Sequence, residues 1–147
     1  MKIILSIITL SIIHTASAQN TPAYTAVSED SFNGKTYKAE ITTLYARTVD
    51  GGVTDTRYCY LSFEKDSVKI THVQLRISYS DGEKTESHTA ESKTYPWRLH
   101  NDELIIENFK DYGHLIFGNN QIVGKDWSGN DLIFCIENDQ PVKLQNE

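Results

Sequence analysis

Three observations predict an all-β domain closed into a single antiparallel β-barrel of about eight strands. From Lys35 onward, apolar and polar side chains alternate with a period of two in one short run after another. Turn residues, chiefly Gly, Asn and Asp, punctuate most of the chain at intervals of about 8–12 residues. No stretch sustains the 3.6-residue apolar period of a packed helix, so little helix is expected. A β-sandwich is the alternative architecture. Consecutive hairpins favour an up-and-down meander, and pairing its last strand with its first removes both open edges.

The N-terminus reads as an export signal. Lys2 precedes the apolar run Ile3–Ile13, and Ala16-Ser17-Ala18 supplies the small-x-small pattern that a signal peptidase accepts. The run is too short for a spanning helix, which needs about 20 apolar residues. Cleavage is expected between Ala18 and Gln19, and no later segment is long and apolar enough to span a bilayer. The domain plan is therefore a signal peptide at 1–18, a flexible leader at 19–31, the β-barrel domain at 32–138 and a flexible tail at 139–147. The expected location is secreted or periplasmic. The formal charge of −6 becomes one unit more negative once Lys2 leaves. That balance argues against nucleic acid and anionic membranes as partners, since both call for Lys/Arg clusters.

The elements follow in order. Tyr37, Ala39, Ile41 and Thr43 alternate with polar neighbours as a half-buried strand, and Asp50-Gly51-Gly52 carries turn chemistry. Tyr58–Phe63 forms an aromatic-rich strand with Tyr58 and Tyr60 on one face and Cys59, Leu61 and Phe63 on the other. After Val68-Lys69-Ile70 the apolar parity moves to Val73, Leu75, Ile77 and Tyr79, which predicts a β-bulge near Thr71-His72. Asp81-Gly82 suits a type I′ hairpin turn. The polar segment Lys84–Thr94 is an exposed edge strand or a mobile loop, after which Tyr95, Trp97 and Leu99 alternate. Strands at Leu104–Phe109, His114–Phe117, Gln121–Lys125 and Leu132–Ile136 complete the set.

Two cysteines, Cys59 and Cys135, lie in β-like runs, and an exported domain with an even number of them points to a disulfide. In a simple eight-stranded barrel the first strand would stand between them, and two strand spacings of about 9.5 Å exceed what a bridge tolerates. A bridge at a splayed barrel end, a different strand count and free thiols all stay open at this point.

Three stretches carry a family likeness: Asn33-Gly34-Lys35-Thr36-Tyr37 entering the first strand, Leu61-Ser62-Phe63-Glu64-Lys65-Asp66-Ser67-Val68, and the late apolar strand Leu132-Ile133-Phe134. Across roughly residues 32–136 the chain resembles the bacterial lipocalin-like domains, exported modules of the calycin type. In those domains a Gly-x-Trp turn opens the first strand; here Tyr37 replaces the Trp, displaced by one residue. The resemblance implies a barrel with a cup.

No signature of catalysis emerges. His72, His88, His100 and His114 lack the close His-x-His or His-x3-His spacing of a zinc site. No Gly-x-Ser-x-Gly elbow is present, and Asp126–Asp131 reads as a turn and lacks the calcium-loop pattern. The reading is a non-enzyme without cofactor or metal. The expected function is an exported binding module for a small, partly apolar ligand, with Arg76, Tyr95 and Trp97 as the candidate ligand-binding residues. The alternative is a protein–protein module, such as an inhibitor of a secreted enzyme or an envelope accessory factor. The interior volume decides between them.

Overall fold

Eight strands pair in chain order, and the last returns to the first. In the computed structural model, which describes residues 27–49, 51–80 and 82–137, they are β1 (Thr36–Thr48), β2 (Gly51–Phe63), β3 (Ser67–Ser80), β4 (Glu83–His100), β5 (Glu103–Ile106), β6 (Leu115–Gly118), β7 (Gln121–Lys125) and β8 (Asp131–Ile136). All neighbours are antiparallel, and β8 closes on β1, so the molecule is a closed eight-stranded barrel. The expected signal peptide, its cleavage site between Ala18 and Gln19 and the 139–147 tail lie outside the described residues. The expected leader is ordered at its end: Glu29–Ser31 forms a 3-10 turn, and the Glu29 carboxylate accepts the Leu99 N–H at 2.8 Å. Among the described residues no helix is long and apolar enough to cross a membrane.

Strand length is unequal. The first four strands hold 13, 13, 14 and 18 residues, and the last four hold 4, 4, 5 and 6. Closure therefore covers only part of the long strands. β8 reaches β1 at Tyr37 and Lys38, and β5 reaches β4 between Trp97 and His100. Beyond those points β1–β4 continue as a four-stranded sheet that projects from the barrel with two open edges.

Inside the closed part the inward residues interdigitate as an aromatic core. Phe32 lies 5.2 Å from Phe63, 5.4 Å from Trp97 and 4.8 Å from Phe117, centroid to centroid. Tyr37 meets Phe63 edge-on at 5.8 Å. Leu61, Val68, Ile122 and Phe134 fill the gaps, each fully buried. Trp97 donates its indole N–H to the Glu64 carbonyl at 3.1 Å, so its polar edge is satisfied where the ring is buried. Phe32, which precedes the first strand, plugs this end.

The parity shift in β3 has a different cause from the one expected. No bulge interrupts Thr71-His72: the β2–β3 and β3–β4 registers run continuously from Val68 to Ser80. The strand stays straight, so its apolar residues change faces. Val68 and Ile70 point into the barrel, whereas Val73, Leu75 and Ile77 share the outer face with Tyr58, Thr56 and Thr54 of β2. The real bulge is in β1, where Glu40 faces Tyr58 and Thr42 faces Arg57, leaving Ile41 as the extra residue. β5 also ends earlier than the Leu104–Phe109 run implied. Asn108 takes the left-handed conformation (φ 61°), which turns the chain out of the sheet.

The Tyr37 hydroxyl is buried with no hydrogen-bond partner among the described residues. Tyr37→Phe keeps the ring contacts and removes that orphan, so it is expected to raise stability by about 1 kcal/mol in denaturant titrations. Trp97→Ala empties the centre of the aromatic cluster and is expected to cost about 3–5 kcal/mol by the same measurement.

Candidate functional site

Where β1–β4 leave the barrel, the inner face of the sheet becomes a trough. Rows of cross-strand neighbours line it: Thr42, Arg57, Gln74 and Thr89 in one, Ala39, Cys59, His72 and Glu91 in the next. Between them lies a cleft of about 420 Å³, walled by Ile41, Arg57, His72, Gln74, Thr89 and Glu91 over the backbone of Tyr58, Val73 and Ala90. The bulge swings Ile41 inward, where it packs partly against the core. The cleft thus has one apolar wall and a polar remainder.

The loop between β5 and β6 forms the boundary between cleft and core. Gly124 permits its approach, because a Cβ there would stand 2.9 Å from the Tyr112 carbonyl and 2.8 Å from Leu115 Cδ2. That carbonyl accepts the Lys125 N–H at 2.8 Å. Tyr112 therefore enters the barrel, with its ring 5.6 Å from Phe134 and 5.6 Å from Phe109. Its hydroxyl shares a 2.7 Å hydrogen bond with His72 Nε2 and also interacts with the Cys59 thiol. A polar chain thus runs from the cleft through His72 and Tyr112 to a buried sulfur. Burial, with smaller contributions from Cys59, raises the Tyr112 phenol well above the ordinary tyrosine range. Burial likewise pushes the Cys59 thiol up to about 12. Both groups are held protonated, as hydrogen-bonding rather than charged partners.

Charges on the projecting sheet are arranged around Asp55. Its carboxylate accepts Arg76 Nε at 2.9 Å and Nη2 at 2.7 Å, and Gln74 Nε2 at 3.2 Å. Hydrogen bonding to Arg76 comes first among the causes that hold the Asp55 carboxyl below the usual range. Glu91 pairs with Lys93 at 3.0 Å. Among the described residues Arg57 makes no ion pair within 4 Å, and its natural neighbour Asp55 is already engaged. No three His, Cys, Asp or Glu side chains converge as a metal set among the described residues.

The residues expected to bind a ligand fall elsewhere. Trp97 is in the core, and Tyr95 is half-buried below the cleft, 5.7 Å from Phe109. Arg76 lies one row farther out than Gln74, paired with Asp55. The structure does not bring the three together. The residues that do line the cleft had one signal in the sequence: it opens at His72, where the apolar parity of β3 reverses. The expected Cys59–Cys135 bridge is also absent, and both are free thiols. Cys59 points into the core from β2 and Cys135 out to solvent from β8, with β1 between their strands. Opposite faces and an intervening strand rule out disulfide geometry. Comparison with known protein families, curated proteins and solved structures finds no match for this chain.

Two outcomes follow from this geometry. In a dithionitrobenzoate titration Cys135 is expected to react in the native protein and Cys59 only after unfolding; an oxidised, unfolded chain with no titratable thiol would contradict the free-thiol geometry. Arg76→Ala is expected to return the Asp55 carboxyl toward its ordinary range, as read by carboxyl-carbon NMR. Because the native value is depressed, the stability contributed by this pair is present above the ordinary carboxylate range. It is lost as pH falls through the native value.

Proposed function

We propose that the protein is an exported, lipocalin-like binding module whose cleft takes a small, partly apolar molecule bearing an acidic group. The observation that carries this is a cleft of about 420 Å³ at the barrel mouth, next to an interior otherwise filled with aromatic side chains. Ile41 offers apolar contact. Arg57 offers a guanidinium with no ion-pair partner among the described residues, suited to a carboxylate or sulfonate. His72, Gln74 and Thr89 supply hydrogen bonds that orient the ligand. The signal-like residues 1–18 support a role outside the cytoplasm. The reading is of binding without catalysis.

The test uses anilinonaphthalene sulfonate, an aromatic anion whose fluorescence rises when water is excluded. Saturable binding near one per chain is expected. Arg57→Ala should weaken it about tenfold, by loss of a charge-assisted hydrogen bond. Thr89→Trp should abolish it by filling the cleft. Absence of saturable binding, or binding unchanged in Thr89→Trp, overturns the reading.

A second reading, a protein–protein module, is favoured by the filled barrel interior and by one observation away from the cleft. Trp127 is 90% exposed. It sits on a turn held by Asp126 Oδ1, which accepts the Ser128 and Asn130 N–H groups at 2.8 Å each. Nearby strands expose Ile116 and Ile133 on one face with Val123 between them. An exposed Trp on a hydrogen-bonded turn, on a surface that also exposes aliphatic side chains, has the chemistry of an interface anchor. An envelope-extract pull-down in which Trp127→Ala retains every band seen with the wild type removes this reading.

A further inference from the structure

The outer edge of β4 is open between Glu83 and Lys93, because β5 pairs only with Trp97–His100. This edge spans roughly 33 Å at strand rise. Its charged side chains, Lys84 and Lys93 among them, are one common means of blunting an edge. But its register with β3 contains no bulge and Pro96 comes only after it, so the backbone stays open to pairing in a register that matches those charges. The backbone phase follows from the hairpin. Ser80 and Glu83 close a two-residue turn, so the odd-numbered residues of β4 bond to β3. The even-numbered ones, Lys84 through Thr94, turn their N–H and C=O groups outward. Pro96 confirms the phase, since its carbonyl accepts the Glu107 N–H on that side at 3.0 Å.

We infer that this edge pairs with the same edge of a second copy, antiparallel about a two-fold axis at His88. Charge selects the register. With His88 opposite its own copy, each Glu83 stands across from the other chain's Lys93, forming two symmetric ion pairs. Glu86 faces Ala90 and Lys84 faces Ser92, so no two carboxylates and no two lysines oppose, and the one like pair is His88 with its own copy at the axis. Sliding two residues one way brings Glu83 against Glu91; sliding the other way leaves Lys93 against Thr85. The selected register also satisfies the outward groups with about ten interchain backbone hydrogen bonds. β4 is the outer margin of the cleft, through Thr89 and Glu91. In the pair, the second copy's Ser87 and Thr85 stand beside those two residues and extend the cleft's open side. The pairing stands on the edge alone and holds whether or not the cleft takes a ligand.

Sedimentation equilibrium on the purified protein tests it. A monomer–dimer equilibrium is expected. Glu83→Lys sets two lysine pairs across the interface and should raise the dissociation constant about tenfold. Glu83→Lys combined with Lys93→Glu should restore it to within about twofold of wild type. His88→Pro removes an outward N–H at the axis while leaving the β3–β4 ladder intact, and should give a monomer with a native circular dichroism spectrum. If that variant fails to fold, the charge exchange alone decides. A wild type that stays monomeric at all concentrations, a dimer indifferent to the charge exchange, or open-ended growth through the β1 edge overturns the inference.

Discussion

Backbone N–H and C=O groups must find partners, and in a sheet the partner is a neighbouring strand about 4.8 Å away. Here four long strands are closed by four short ones, so the supply of neighbours runs out partway along β1 and β4. The closed barrel, the projecting sheet, the cleft at their junction and the open edge of β4 are all consequences of that mismatch. Were β5–β8 as long as β2, the trough would be walled off and the β4 edge covered.

The junction needs its own solution, because an aromatic core cannot simply stop at water. Three features make the transition. The bulge at Ile41 turns one more apolar side chain inward. The loop carrying Tyr112 lays an aromatic ring over the core and offers its hydroxyl to His72. β3 moves its apolar residues to the outer face just beyond that point, leaving the inner face to Gln74 and Arg76. An apolar interior thus gives way to a polar trough within two residues, without a buried charge. Cys59 marks the dry side of that boundary and Glu91, paired with Lys93, the wet side.

Much of the architecture was legible because it rests on local rules. Alternation at Tyr37–Ala39 and Tyr58–Phe63, turn chemistry near Gly82, and the reversal of parity after Ile70 are all properties of neighbouring residues. Readings that needed partners across the sheet fared differently. The reversal looked like a bulge because a single strand cannot reveal whether the backbone shifts or the environment changes sides. Trp97 looked like a cleft aromatic because alternation cannot say which end of a barrel is filled. Cys59 and Cys135 looked like a bridge because the count of cysteines carries no information about facing.

By itself, then, the order of side chains determined that this chain forms short antiparallel strands joined in sequence. Period-two alternation and turn residues act through bonds and neighbours a few residues apart. Which residues meet in the cleft, which thiol is sealed and which edge stays open were decided only by tertiary structure. Each depends on where unequal strands run out of partners, a property of the closed sheet and of no single segment.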